Sequence, residues 1–452
     1  MLIRFVTQNI FSFGKTTEFN MLPNTRYKRL PHHKYDVNGF SLLKMTALYG
    51  ANAAGKSNLV KAMSLLKDIV TTSKIPPRFS DLQFKFRDKK YEDQILAVEF
   101  FQNEIPFYYA LKINKGIIKT EELYISGLGK KEDKLIFERN TNDDGKTTLQ
   151  FLPEFENDAE SQVLKRVVQK NLAKPNEPIF YLLSDMDNPF LKDVSIAFEW
   201  VMDTLLFEEI SEGQGILAYT ADADEEHKKY AEDLIKSFHI GISNLEIETI
   251  SLEDFLAGNK LTEEKELEET PSVHTLETEK GEFVDIKKEN NEWGIKQIRL
   301  KHFGKNNKTA LFELDEESDG TVRLLGFITY FYDIIFKGKT IIIDEIEKSL
   351  HPLIIKELIH KFSHEKNTNG QLIFTTHESN LLDQDIFRQD EIWFAEKDKD
   401  GCTDLYSLSD YKEHNTIDIR KGYLMGRYGA IPFLGNLKDL NWHVYDTEKQ
   451  TV

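Results

Sequence analysis

The stretch Gly50-Ala51-Asn52-Ala53-Ala54-Gly55-Lys56-Ser57 decides the fold. It fits G-x-x-x-x-G-K-[ST], a loop whose backbone N–H groups cradle phosphates. Gly50 and Gly55 permit the tight path that turns those groups inward. Lys56 brings a point charge between the β- and γ-phosphates, and the Ser57 hydroxyl is a ligand for Mg²⁺. Gly50, Asn52, Ala53, Gly55, Lys56, Ser57 and Asn58 are the residues read as nucleotide-binding. The flanks agree with this reading. Met45 to Tyr49 is a short apolar strand, and Asn58 to Val70 carries apolar residues at helical spacing. The helix that follows the loop adds the positive end of its dipole.

Outward from the loop, a second element lies at Thr340-Ile341-Ile342-Ile343-Asp344-Glu345. A buried apolar strand ending in two acids is the form of a Walker B strand. Asp344 is expected to hold Mg²⁺, and Glu345 to orient or deprotonate an attacking water. Glu317-Ser318-Asp319-Gly320-Thr321 opens an apolar helix, with Gly320 24 residues before Asp344. His377 follows the strand Gln371–Thr375. The order of loop, Ser-x-Gly, acidic strand and histidine resembles the ABC-type ATPases. That resemblance implies that Ser318 and Gly320 reach the γ-phosphate held by an opposite subunit. It also implies that His377 contacts the γ-phosphate as a switch histidine, so that Glu345 and His377 are the catalytic pair.

The rest of the chain organises around these motifs. The first twenty residues are β-prone, and residues 21–41 read as a polar loop rich in Lys and Arg, with His32 and His33. Residues 91–125 read as a β-meander punctuated by Asn114 and Gly116. From about Pro153 to Ile250 the pattern is helical. Residues 253–282 hold ten acids against three lysines and read as a solvated surface. The β pattern returns after residue 292. The expected fold is therefore α/β: an ABC-type P-loop head with an N-terminal β-meander, made from residues 1–155 and 291–452 around a mainly helical insertion at 156–290.

NIFSFG, GANAAGKSNL, EELY, EESDGTVRLL, IIIDEIEKSLHP, FTTHESNLLD and RKGYLMGRYGAIPFL together resemble the AAA15/AAA21-type ABC ATPases of bacteria. These are relatives of RloA, of the AriA subunit of PARIS, of the PtuA subunit of Septu and of the overcoming-lysogenization-defect (OLD) nuclease ATPase domain. The resemblance implies an ATP- and Mg²⁺-dependent ATPase that forms at least a homodimer with nucleotide between subunits. It further implies the ATPase or sensor subunit of an anti-phage system, controlling a separately encoded nuclease or toxin. Departures from the wider ABC pattern are Ser349-Leu350-His351-Pro352 at the Asp-loop position and no distinct Q-loop, for which Gln83, Gln94 and Gln102 all stand open.

Composition and motif arithmetic exclude several classes. The chain has 452 residues, 58 Lys/Arg against 76 Asp/Glu and a net charge of −18, which argues against coating nucleic acid by bulk charge. One cysteine excludes a disulfide framework and a Cys-based zinc site, and fits a reducing, cytoplasmic location. The apolar run Leu324–Phe336 contains Asp333 and is too short for a membrane span, and MLIRFVTQNIF does not read as a signal peptide. The N-K-x-D element of GTPases is absent, since Asn259-Lys260-Leu261-Thr262 lacks the acid. The 75 residues after His377 are too few for a nuclease domain plus the closing elements, and sustained heptads are missing from the middle. Asp398 and Asp400 mimic a metal pair but suit a hairpin turn. A RecF-like DNA-processing ATPase that binds DNA, and a scaffold that binds ATP without turnover, are the competing functions. A phage protein is a further possible partner.

Overall fold

The computed structural model describes residues 1–37, 39–86, 93–208, 213–258, 274–277, 283–289, 292–411 and 417–431. Its centre is a six-stranded sheet in the order Leu205–Phe207, Thr340–Ile343, Gln371–Thr376, Met45–Gly50, Ile392–Lys397 and Thr403–Ser407. All neighbours are parallel except the final pair. Every residue of Met45–Gly50, Thr340–Ile343 and Gln371–Thr376 is buried. Continuous burial is the mark of strands covered on both faces, which explains their unbroken apolar sequences.

One face carries the loop helix Lys56–Thr72, beneath a seven-stranded antiparallel sheet. That sheet runs Thr147–Phe151, Lys134–Thr141, Ile117–Ile125, Ile105–Asn114, Gln94–Gln102, Leu2–Gln8 and Thr17–Asn20. It contains the expected three-stranded meander, extended by four strands, two from the N-terminus and two from residues 134–151. The opposite face packs the helices Asp319–Phe336 and Pro352–His364. The parallel sheet thus separates two cores, one on each side, as α/β layering requires.

The middle segment is mixed. Helices Ala159–Val167, Lys192–Glu199, Gly213–Ala223 and Glu225–Ser237 precede the strands Ile242–Ser251, His274–Glu277 and Phe283–Glu289. Ile242–Ser251, expected to be helical, is instead a strand paired with Glu292–Phe303, where its apolar residues meet apolar partners: Leu245 faces Leu300, Ile247 faces Ile298 and Ile250 faces Ile295. Leu205–Phe207 joins the central sheet beside Thr340–Ile343. Trp200 stacks on Phe100 at 4.2 Å, and Lys67 of the loop helix donates to Leu205 O at 2.6 Å. Residues 21–41 also differ from the expected loop, since Lys34–Val37 pairs with Phe40–Leu43. His33 is not solvated. It is fully buried, with Nδ1 2.9 Å from Glu391.

Candidate nucleotide site

The loop leaves the C-terminal end of Met45–Gly50 and enters the helix at Lys56. Asn52 and Ala53 form its exposed crest, and Ala53 adopts φ 63°. Gly55 has φ 112°, and a Cβ there would lie 2.2 Å from Thr403 Oγ1. Only glycine meets both demands. Thr403 Oγ1 hydrogen-bonds to Ala54 O and Ser12 Oγ, each at 2.8 Å, and Asn58 Nδ2 donates to Ser12 Oγ at 2.8 Å. The loop is therefore braced from both ends of the chain. Ser57 lies half-buried in the first helical turn.

Lys56 is buried, and its Nζ donates to Gly50 O at 2.9 Å and Ala51 O at 3.4 Å. It also lies 2.9 Å from His377 Nε2. An ammonium group has no lone pair, so it can only donate to that imidazole nitrogen. Burial lowers the Lys56 pKa against the opposing pull of Asp344, Glu347 and Glu345. Burial and then the Lys56 charge lower that of His377.

The acidic strand end is held by the neighbouring strand. Thr375 Oγ1 donates to Asp344 Oδ1 at 2.5 Å and accepts from Glu345 N at 2.8 Å. Glu345 takes a left-handed φ of 52°, a strained state for a side-chain-bearing residue. Its carbonyl accepts from Lys348 N at 2.9 Å and from Arg323 Nη2 at 3.0 Å. Arg323 also reaches Glu208 Oε2 at 3.2 Å, in a pair whose side chains are 7% and 6% exposed. Burial pushes the Glu208 carboxyl up to about 7, with Arg323 and Lys348 opposing and Asp344 adding.

Ser318 caps the helix Asp319–Phe336, its Oγ accepting from Thr321 N at 3.2 Å. A Cβ on Gly320 would stand 2.7 Å from Ser349 O, so this helix start rests on the loop after Glu345. Glu317 is 2.5 Å from His302 Nε2. His351 caps the helix Pro352–His364, accepting from Leu353 N at 3.2 Å.

Lys56 and His377 thus meet directly, and Thr375 ties Asp344 to Glu345. Ser318 and Gly320 turn to their own helix and to Ser349. Ser12, Glu208, Arg323, Glu347, Thr375 and Thr403 were not legible as site residues, since each acts through a partner distant in sequence. The open glutamines lie elsewhere: Gln94 Nε2 donates to Phe79 O at 3.2 Å, Gln83 sits 3.5 Å from Gln94, and Gln102 ends an outer-sheet strand. Asp398 Oδ1 accepts from Asp400 N at 2.9 Å and Cys402 N at 2.8 Å, closing a hairpin turn. EELY is structural through Glu121, which is fully buried and accepts from Ile179 N and Phe180 N. Tyr423 and Tyr428 of the C-terminal motif stack on Phe394, while its residues 432–434, and most of 253–282, lie outside the described residues.

The site suits a magnesium nucleotide. Lys56 offers a buried ammonium, and Ser57 and Asp344 are the oxygen donors that would hold the metal. Among the described residues no group of three or more His, Cys, Asp or Glu gathers to hold a metal ion. A two-donor set fits Mg²⁺, which keeps phosphate and water as its remaining ligands. Among the described residues, no helix is long and apolar enough to cross a membrane.

No curated protein matches the chain. Solved structures similar to it include an SMC head bound to the C-terminal winged-helix domain of ScpA, at TM-score 0.41 and 14% identity, covering 90% of this chain and 97% of that one. The SMC head domain from Thermotoga maritima matches at TM-score 0.40 and 12% identity, covering 90% and 98%. An SMC head with an extended coiled coil, bound to the C-terminal domain of ScpA derived from Pyrococcus furiosus, matches at 0.39 and 12%, covering 94% and 98%. The model of the AAA21 family, an AAA domain named for AbiEii-type toxins of type IV toxin–antitoxin systems, matches residues 45–383. That span runs from the first residue of the loop strand to beyond His377, and the chain belongs to the AAA21 family.

Proposed function

We propose that the protein binds and slowly hydrolyses ATP with Mg²⁺ at the interface of at least two copies of itself. The contact between Lys56 and His377 carries this reading. It sets a phosphate-seeking cation and a histidine at one point, beside the strand that bears Asp344 and Glu345. The loop amides and Lys56 seat the β- and γ-phosphates. Ser57 and Asp344 hold Mg²⁺, which neutralises charge on the phosphates when bound. Glu345 orients the attacking water and accepts its proton. His377 moves from Lys56 to the γ-phosphate. Ser318 and Gly320 of a second copy close over that phosphate from a helix start, which favours an anion.

Hydrolysis would then serve conformational change. The AAA21 membership and the resemblance to defence ATPases support a role as the ATPase or sensor subunit of a cytoplasmic anti-phage system. The controlled effector is a separately encoded nuclease or toxin. Glu345→Gln tests the catalytic reading. Steady-state turnover should fall by ~10²–10⁴-fold, while ATP stays bound and the protein elutes as a closed dimer on sizing with ATP. Turnover near wild type would reduce Glu345 to a turn residue. Co-purification with the product of the neighbouring gene, released by ATP, tests the defence role.

A further inference from the structure

His377 cannot choose its own place: it follows the last residue of the strand Gln371–Thr376 and is itself exposed. What fixes the chain at this point is Glu347. Its Oε1 accepts from His377 N at 2.5 Å. Glu347 stands in the turn after Glu345, and that turn is tied to the same strand. Ile346 N donates to Thr375 O at 3.1 Å, and Leu350 N donates to Glu347 O at 3.0 Å. One carboxylate therefore links the turn of the acidic strand to the backbone of the histidine. The other oxygen, Oε2, is buried without a hydrogen-bond partner. A buried, unpaired carboxylate oxygen is costly, so the bond from Oε1 to the histidine amide is the hydrogen bond this carboxylate keeps.

We propose that Glu347 is a positioning residue for His377. It anchors the backbone so that the ring stands against Lys56, at the place where the γ-phosphate must enter. This rests on the ATPase reading of the site and adds to it a residue that acts through His377. It also explains a register. Glu347 lies three residues after Asp344 and His377 one residue after the strand end, so the two segments lock only when Thr340–Ile343 and Gln371–Thr376 pair as they do.

The anchor needs an acceptor oxygen and no charge. Glu347→Gln should thus keep it, and Glu347→Ala should lose it. The test uses the full chain labelled with [¹³C]histidine, with the His377 resonance assigned through His377→Gln. In the nucleotide-free protein, Glu347→Ala should shift the His377 Cε1 resonance, and Glu347→Gln should return it. With Mg-ATP, Glu347→Ala should lower kcat by about tenfold to hundredfold, the range a small misplacement costs. KM should stay within about twofold, and the Gln variant should recover most of kcat. An unmoved His377 resonance in Glu347→Ala overturns the inference, as does a Gln variant as impaired as Ala. Absence of turnover in the wild-type protein would instead sink the ATPase reading, and the resonance comparison would still decide the role of Glu347.

Discussion

Lys56 shows how much one position can be asked to do. Its ammonium group is buried, carries three contacts and sits beside Asp344, Glu345 and Glu347. Lys56→Ala removes the charge for the β- and γ-phosphates and also frees His377. We predict loss of ATP binding in a folded protein, measured by titration calorimetry. Unchanged nucleotide affinity would show that the loop amides alone suffice. The residues around it divide by legibility. Gly50, Gly55, Lys56 and Ser57 are readable because their spacing is local. Ser12 and Thr403 are joined across 391 residues of sequence, and Ser12 lies 46 residues from Asn58, whose bond to it the local spacing does not show. A hydroxyl whose partner is that distant leaves no pattern in its own neighbourhood.

Elements are legible where periodicity runs long enough. The helix Lys56–Thr72 and the meander from Gln94 to Ile125 declare themselves. The three-residue strand Leu205–Phe207 does not, because three apolar residues fit a helix equally well. Missing it hides Glu208, whose backbone N donates to Ile342 O at 3.0 Å and whose side chain meets Arg323 from the helix Asp319–Phe336. This pair joins three elements at Glu345 O, and its pH behaviour follows from burial. The Glu208 carboxyl rises from 4.5 in the unfolded chain to about 7 in the fold. Below pH 4.5 both states are protonated and nothing is lost. Between these values the unfolded chain releases a proton that the folded protein keeps, so stability falls as pH rises. The stability of wild type minus that of Glu208→Gln should therefore decline from pH 4.5 to 7 and level off above, read by thermal melts of both proteins. A flat difference would mean that Arg323 offsets the burial of the carboxylate completely.

At the scale of the molecule, the question is what completes the site. Ser318 is exposed, caps its own helix, and stands next to a glycine resting on Ser349. Nothing in this packing turns its hydroxyl toward Lys56 of the same chain, and a helix start facing solvent is free to meet an anion held by another copy. Ser318→Arg should then leave ATP affinity largely intact, because the loop Gly50–Ser57 makes the phosphate contacts. Losing the cap costs only about 0.5–2 kcal/mol, so the variant should fold. It should fail to close on ATP, since a long cation takes the place of a small hydroxyl. Mixing it with Lys56→Ala separates the two defects. In a mixed dimer, one site combines an intact loop with an intact Ser318, and the other site carries both lesions. Hydrolysis should therefore reappear on mixing, rise to a maximum near equal ratios, and stay below half of the wild-type rate per dimer. Heterodimers confirmed by differential tagging that recover no turnover at any ratio would place the whole reaction within one chain.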